Sequence, residues 1–323
     1  MPSDHHNRAK LHLTPALPLP KALAAAFDTL VGYAIEMPVR AKHAPEKAVH
    51  EFRKTTRRLR ALTKLVREIV GESAYQKMNS TLGAAARSTS GLRDDAVLLS
   101  ALDDLQDKKK TRQARALLRH ALAERCEDAA DAQATAQLLQ ECSRSLRPTS
   151  RLFHASLPQG LQLSGLEDAF RDSLRRTRRS VRKATADQDG RTDSTRIHTV
   201  RKRVKELRYQ LEMLTHVESD TVLKAHRGAA NIAETLGQVT DLIALSERVQ
   251  GNVELPKKSR RRLLKQIQKQ IDSIFADAHD RAVALFDAPP RQMAQQWIAA
   301  ISDDFGKELG TDFGNPKWTF RAG

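Results

Sequence analysis

The sequence predicts an all-α protein made of two four-helix bundles. Apolar residues recur at three- and four-residue spacing along most of the 323 residues, as they do on the buried face of a helix. No long alternating or Val- and Ile-rich run flanked by turn residues indicates a β-strand. A basic motif in the first half also recurs in the second half, which indicates that the two bundles arose by internal duplication.

Prolines and glycines set the limits of the first four predicted helices. Pro38 ends the first helix, Pro45 opens the second, and Pro148 follows the fourth. Gly71 closes the second helix, and Gly91 is a point where the third can break. The four helices are predicted at about 20–37, 46–70, 73–106 and 111–146.

The second half begins after a connector that is rich in Ser, Pro and Gly. Ser164 and Glu167 have the spacing of a capping box, which predicts the start of the next helix. Pro289 and Pro290 end the helical pattern. Four further helices are predicted at about 165–186, 195–215, 220–249 and 257–286. The resulting organisation is an N-terminal tail 1–19, a first half 20–147, a linker 148–164, a second half 165–287 and a C-terminal extension 288–323.

Composition excludes several classes of protein. Cys126 and Cys142 are the only cysteines, and on one helix they would lie about 24 Å apart, so a disulfide scaffold and a cysteine-rich zinc site are excluded. We see no apolar run near the ~18 residues that cross a bilayer, and no ordering typical of a secretory signal. We therefore expect a cytoplasmic protein with no membrane contact.

Positive charge is concentrated in four short windows. Residues 50–67, 171–183 and 257–269 hold seven Lys or Arg side chains each, and residues 196–208 hold six. These windows together carry a formal charge of +24, against +16 for the whole chain, so the remainder is acidic. Since clustered cations repel one another, this pattern predicts a polyanionic partner.

In three of the windows the cations follow the inward-facing residues by one position, and in helix 257–286 a similar stripe of cations lies beside the apolar residues. One residue turns about 100° around a helix, so such a stripe borders the core instead of opposing it. Spacings of three or four residues place a cation every ~5–6 Å along the axis, which suits a linear chain of anions. Two of the stripes have little other motif content, and they contribute as candidate binding residues Arg175, Arg178 and Arg182 in helix 165–186 and Arg262, Lys265 and Lys269 in helix 257–286.

The two remaining stripes share one motif. The segment from His50 to Arg60 aligns without gaps on the segment from His198 to Arg208, 148 residues later. A neutral histidine near a helix N-terminus can donate an N–H to a phosphate oxygen, and arginine makes bidentate phosphate contacts. The candidate binding residues in the first copy are His50, Arg53, Lys54, Arg57, Arg60 and Lys64, and those in the second are His198, Arg201, Lys202, Lys205, Arg208 and Tyr209.

These motifs resemble the CHAD family, the conserved histidine α-helical domain. The resemblance rests on the two histidine helices, on Arg93-Asp94 before an apolar helix, and on Leu236-Gly237 to Asp241, and it runs from about residue 20 to 286. It implies two four-helix bundles about a pseudo-twofold, a basic central groove or pore, binding of inorganic polyphosphate and location at polyphosphate granules. It also adds Arg93 to the binding residues, whereas Thr240 stands at the matching place in the second half. The Glu-x-Glu-x-Lys strand of a triphosphate-hydrolysing CYTH domain does not occur in the sequence.

Two other functions stay open at this stage. Asp103-Asp104-Leu105-Gln106-Asp107 fits a diphosphate–magnesium motif, but Asp303-Asp304 lacks the pattern of the second cluster that such an enzyme needs. His279-Asp280 lacks further metal ligands, and a phosphohistidine mechanism lacks an acid for the leaving group. We therefore expect a binding protein without catalytic residues, cofactor or metal. The basic pI also predicts weak non-specific nucleic-acid binding, and specific nucleic-acid recognition is the alternative. The sequence does not predict the oligomeric state.

Overall fold

The computed structural model describes residues 12–89, 94–105, 109–127, 131–184, 193–217, 219–251 and 255–308. All regular secondary structure in these ranges is helical, which confirms the predicted all-α class. Thirteen helices occur in them: α1 Leu19–Ala41, α2 Pro45–Leu65, α3 Arg67–Val70, α4 Glu72–Ser88, α5 Asp94–Asp103, α6 Arg112–Glu127, α7 Ala132–Arg144, α8 Leu146–Ser156, α9 Leu163–Arg182, α10 Ser194–Glu212, α11 Asp220–Gly251, α12 Lys257–Leu285 and α13 Pro290–Glu308.

The helices pack in two groups around a continuous apolar core. In the first group, α1 and α2 pack against each other and against α4, α7 and α8. In the second, α9, α10, α11, α12 and α13 pack together. The helices α5 and α6 belong to the first half of the sequence but pack against α11 and α12. The two groups meet where α2 contacts α10, which brings the two copies of the basic motif together. Internal duplication stays a prediction.

Prolines do not end helices where the sequence suggests. The helix α1 continues through Pro38 to Ala41, because Met37 and Ala41 are fully buried and their packing offsets the lost hydrogen bond. Pro148 lies in the first turn of α8, where a backbone N–H has no intrahelical acceptor and its absence costs little. The predicted connector 148–164 is therefore helical up to Ser156, and Phe153 of α8 stacks on Phe27 with ring centroids 4.2 Å apart.

Two predicted helix starts also need correction. The single helix expected over 111–146 is divided into α6 and α7, because the carboxylate of Asp131 accepts a hydrogen bond from the backbone N–H of Gln133 at 2.9 Å and caps a new helix. The capping box of Ser164 and Glu167 is not used: α9 begins at Leu163, and the preceding Gln162 makes no side-chain cap.

The C-terminal extension forms one more helix than the sequence predicts. Pro290 is the first residue of α13, a position that favours proline because its missing N–H would be unpaired there in any case. Trp297 of α13 is 1% exposed and lies edge-to-face on Phe170 of α9 at 5.8 Å. Trp318 lies outside the described residues.

The helix α1 is long and apolar enough to cross a membrane, by length and composition alone. This corrects the expectation that no apolar run of that length occurs. The same helix packs against α2, α7 and α8, and eleven of its side chains are buried there. A core helix of a soluble bundle meets the same criterion, so the length of α1 is no argument for a membrane span.

Candidate anion-binding cleft

Side chains from α2 and α10 surround one small cleft where the two helix groups meet. Its volume is about 250 Å³. Six of its ten lining residues are Lys or Arg, and they come from both copies of the basic motif. The lining residues, which we call the central cleft, are Arg57, Arg60, Ala61 and Lys64 of α2 and His198, Arg201, Lys202, Lys205, Glu206 and Tyr209 of α10.

Three polar contacts fix α10 against its neighbours α2 and α9. The side-chain amide of Gln210 donates to the carbonyl of Ala61 in α2 at 3.1 Å, and its oxygen accepts from the hydroxyl of Ser173 in α9 at 2.5 Å. Arg58 and Glu212 form an ion pair across α2 and α10 in which the two side chains are only 6% and 13% exposed. These buried contacts hold the two motif helices against each other, and cations of both helices line the same cleft.

One end of the cleft is neutralised by a carboxylate. Glu206 pairs with Lys64, and these side chains are 15% and 14% exposed. Glu206 also lies 3.3 Å from Arg203. Burial lowers the pKa of Lys64 from its ordinary value, whereas the neighbouring Glu206 opposes this and raises it. Lys64 is therefore engaged within the protein, and the surplus charge of the cleft resides on the other cations.

The other end holds cations that crowd one another. Burial, and then the neighbouring Arg57, Arg201 and Arg208, lower the pKa of Lys205 to about 7, while Asp241 acts in the opposite direction. Burial, and then Arg57, also lower the pKa of Arg201, against the effect of Asp241. The cations of this cluster repel one another, and an anion bound among them would reduce that repulsion.

Several guanidinium groups at the cleft also have unused donors. The Nε atoms of Arg60, Arg201 and Arg208 are buried and have no hydrogen-bond partner among the described residues. A buried donor without an acceptor costs free energy, and such groups in proteins usually await water, an ion or a ligand. Both the charge and the donors therefore favour a bound anion.

The pattern Leu236-Gly237 to Asp241 lies on α11, behind Arg201. A Cβ atom built on Gly237 would lie 3.8 Å from Nη2 of Arg201, so this guanidinium crosses the surface of α11 in van der Waals contact. Asp241 lies near enough to raise the pKa of both Arg201 and Lys205. The pattern thus positions cations of the cleft. Asp241, Glu206 and Gln210 all help to position these cations, although none of them was a candidate binding residue. Of the three, only Asp241 could have been noticed in the sequence, because it stands before an apolar helical segment.

Not every candidate of the two motifs reaches the cleft. Arg53 is half-buried and donates to the carbonyl of Thr89, at the C-terminal end of α4, at 2.8 Å. Its guanidinium therefore serves to tie α2 to α4. His50 is exposed and Lys54 half-buried, and neither lines the central cleft. Arg208 is not a lining residue, but its Cζ lies 5.4 Å from the ring centroid of Tyr209, which is, and its charge lowers the pKa of Lys205. Arg93 lies outside the described residues.

The other two stripes do not converge on the cleft, which corrects the expectation of one groove for all four. Arg175, Arg178 and Arg182 of α9 line a different pocket, beside the start of α13. Arg262, Lys265 and Lys269 are exposed on α12, which packs against α11, α9 and α6. The reason is packing: α12 is separated from α2 by other helices, so its basic side faces solvent.

The alternative catalytic motifs find no support in their surroundings. Asp103 pairs with Arg119 at 2.9 Å on an exposed surface, and Asp107 lies outside the described residues. The Nε2 atom of His279 lies 3.1 Å from the carbonyl of Val181, and Asp280 is exposed. In the described part of the chain, no three His, Cys, Asp or Glu side chains lie close enough together to hold a metal ion.

Comparison with known proteins agrees with this architecture. Residues 21–250 match the family model described as the CHAD domain. The crystal structure of the CHAD domain from the plant Ricinus communis has a TM-score of 0.59 and 21% sequence identity, over 87% of this chain and 96% of that chain. The similarity to this crystal structure shows that the two chains share a fold. No curated protein matches the chain significantly.

Proposed function

Since the chain belongs to the CHAD family, whose domains are associated with polyphosphate-related proteins, we propose that it binds inorganic polyphosphate in the central cleft. The observation that carries the proposal is the cluster of Arg57, Arg201, Lys205 and Arg208. These half-buried cations lie near one another, and the Nε atoms of Arg201 and Arg208 have no hydrogen-bond partner among the described residues. Polyphosphate carries one anionic charge on each successive phosphate. It therefore supplies negative charge that neutralises the cations of the cleft and oxygen acceptors for their unpartnered Nε–H groups.

Binding in this scheme is electrostatic and reversible. Arginines at the cleft donate to phosphate oxygens as forked pairs, and lysines act as point charges. Arg201 and Lys205 are one helical turn apart, about 6 Å along the axis, so they meet different phosphates of an extended chain. Each phosphate that is neutralised releases its counterions, which makes the affinity fall steeply with salt.

The residues at the cleft favour a binding protein over an enzyme. Cleavage of a phosphoanhydride by general acid–base catalysis needs a group that can protonate the leaving oxygen. Glu206 is the one carboxylate among the lining residues, and it is paired with Lys64. A phosphate-release assay with polyphosphate and Mg²⁺ or Mn²⁺ tests this part of the proposal, and turnover above the buffer background would contradict it.

The binding site is tested by reversing charge at the cleft. We expect Arg57→Glu with Arg201→Glu to weaken long-chain polyphosphate binding by at least about 100-fold, since two favourable contacts become repulsive. The matched control is Arg151→Glu with Arg261→Glu, two exposed arginines on α8 and α12 that change the net charge equally. Circular dichroism establishes that both variants keep their helical content. Equal affinities of the two variants would remove the site from the cleft.

Competition separates this proposal from nucleic-acid binding. Long-chain polyphosphate and double-stranded DNA of equal phosphate content are offered at 0.15 M salt with a labelled short polyphosphate as the tracer. We expect polyphosphate to displace the tracer at much lower phosphate concentration, because a narrow cleft of about 250 Å³ admits a single unbranched chain more easily than a duplex. Stronger displacement by DNA would support the alternative function.

The proposed location is the cytoplasm, at polyphosphate granules, and it depends on the binding proposal. A fluorescent fusion of the full chain should co-localise with a polyphosphate dye, and the variant with Arg57→Glu and Arg201→Glu should be diffuse. A membrane-bound signal for the unmodified chain would contradict it.

A further inference from the structure

A second basic pocket lies between the C-terminal half of α9 and the start of α13. Seven of its nine lining residues are Arg or Lys, and the other two are Pro289 and Pro290. Its volume is about 550 Å³, roughly twice that of the central cleft. We call it the α9 pocket; its main cations are Arg171, Arg175, Arg178, Arg182 and Arg291.

The α9 pocket has buried donors that the protein does not use. The Nε atoms of Arg171 and Arg178 are buried and have no hydrogen-bond partner among the described residues. Arg171 pairs with Asp168 at 2.7 Å and Arg175 lies 3.8 Å from Asp172, but both carboxylates are on α9 itself and neither lines the pocket. The cations therefore outnumber their carboxylate partners by a wide margin.

Docking of α13 builds this pocket. Nη2 of Arg178 donates to the carbonyl of Asp287, just before α13, at 2.6 Å. Trp297 packs on Phe170 further along the same pair of helices. These two contacts hold Pro289, Pro290 and the positive N-terminal end of α13 against the arginines of α9. The pocket is thus a defined concave surface with contributions from two helices, and not only a solvated helix face.

The α9 pocket is separate from the central cleft. Arg176 lies near Arg203 and Glu206 of α10, which both affect its pKa. Arg178 is two residues further along α9, so it points about 200° away around the helix axis. The body of α9 therefore lies between the two sets of cations, and no residue lines both sites.

We propose that the α9 pocket is a second phosphate-anion site, which binds a compact anion carrying several phosphate groups independently of the central cleft. The choice of ligand rests on the proposed function, since a phosphate chain that fits one site fits the other. Two sites on opposite sides of α9 make the protein bivalent, so one molecule can hold two polyphosphate segments and raise their local concentration. The structure contains the same recognition chemistry in both places: clustered guanidinium groups with free donors.

Tripolyphosphate is the probe, and calorimetric titration of the full chain is the first measurement. We expect two tripolyphosphate ions to bind to the unmodified chain. Arg175→Met with Arg182→Met should remove one of them or weaken it at least about tenfold, because two charge-assisted contacts are lost. Both arginines are exposed, so their loss does not open the core. The control, Arg151→Met with Arg261→Met, should keep both sites.

A residue-specific measurement separates the two sites. Phenylglyoxal modifies accessible arginines, and mass spectrometry reports the protection of each one. In a variant with Arg201→Met and Lys205→Met, tripolyphosphate should still protect Arg175 and Arg182. Loss of that protection would overturn the proposal, because it would mean that α9 and the cleft form one site. A stoichiometry of one that Arg175→Met with Arg182→Met leaves unchanged would overturn it too.

The outcome also distinguishes this proposal from the one for the cleft. If the cleft does not bind polyphosphate, the variant with Arg201→Met and Lys205→Met binds like the unmodified chain, whereas the α9 variant loses its ion. An ATP titration identifies the source of the phosphate groups: equal affinity for ATP and tripolyphosphate indicates recognition of the phosphates alone, and tighter ATP binding indicates a nucleotide whose base lies on the proline rings. Both results support the site, and absence of any protection of α9 by either anion contradicts it.

Discussion

Replacing Lys205 with methionine should stabilise the empty protein while it weakens anion binding. The ammonium group of Lys205 is held near Arg57, Arg201 and Arg208, and its pKa in the folded chain is about 7. In the unfolded chain the pKa is near its ordinary value of 10.5. Below pH 7 the lysine is charged in both states, and folding then carries the full cost of placing that charge in the cluster.

The size of the effect follows from the difference between the two pKa values. A shift from 10.5 to about 7 corresponds to at most about 5 kcal/mol, at ~1.4 kcal/mol for each tenfold change. Water and side-chain rearrangement reduce this at a partly exposed cleft, so we expect Lys205→Met to increase the free energy of unfolding by about 1–3 kcal/mol at pH 6. The gain should shrink as the pH rises from 7 towards 10.5, because the lysine of the folded protein is then already neutral.

Urea unfolding at pH 6, 7.5 and 9 measures this difference directly. Lys224→Met is the control: Lys224 is 78% exposed on α11, 3.8 Å from Asp220, and its loss should change the free energy of unfolding by less than about 0.5 kcal/mol. A variant of Lys205 that is no more stable than the unmodified protein at pH 6, or whose gain does not depend on pH, would refute the crowded-cation account of the cleft.

Binding provides an independent check on the same group. A polyphosphate chain beside Lys205 should return its pKa towards 10.5, so at pH 8 the unmodified protein should take up about one proton on binding. Calorimetry in two buffers of different ionisation enthalpy measures that proton. Lys205→Met should bind without proton uptake and several-fold more weakly. Proton release, or equal uptake by the variant, would contradict the assignment of the ligand to this cluster.

Three further outcomes follow from the contacts at the cleft. Glu206→Gln should strengthen polyphosphate binding about 3–10-fold, because it frees the charge of Lys64, and should lower the stability of the fold, because it leaves that buried ammonium without its partner. Isothermal titration measures the first effect and urea unfolding the second. Weaker polyphosphate binding would contradict the role of Glu206. Raising the salt from 50 to 200 mM should weaken binding roughly 100-fold, as expected when about four phosphates are neutralised. An affinity independent of salt would exclude the electrostatic mechanism. Arg58→Ala should lower the free energy of unfolding by about 3–5 kcal/mol, because it leaves the buried carboxylate of Glu212 unpaired. If chemical denaturation shows a change in that free energy below about 0.5 kcal/mol, the pair does not hold α2 against α10.

The sequence by itself determined most of the helical segments and which side of each motif helix is basic. Apolar periodicity gave α2, α10, α11 and α12 to within a few residues, since burial of an apolar stripe is a property of each segment alone. The motif shared by His50–Arg60 and His198–Arg208 identified the two helices that meet at the cleft. Proline rules were less reliable, because a proline in a first or last turn costs little when neighbouring side chains are well packed, as at Pro38 and Pro148.

Only the tertiary structure decided where each basic side faces. The phase of a cation around its own helix follows from the sequence, but the neighbour that it meets depends on contacts between residues about 150 positions apart, such as Arg58 with Glu212. That packing brings Arg57 and Arg201 to one cleft, and it turns the cations of α12 to solvent. It also docks α13 on α9, which makes a pocket from an arginine stripe and two prolines that the sequence shows more than a hundred residues apart. Long-range packing is set by the fit of whole helix surfaces, and a periodic pattern along one segment contains no record of that fit.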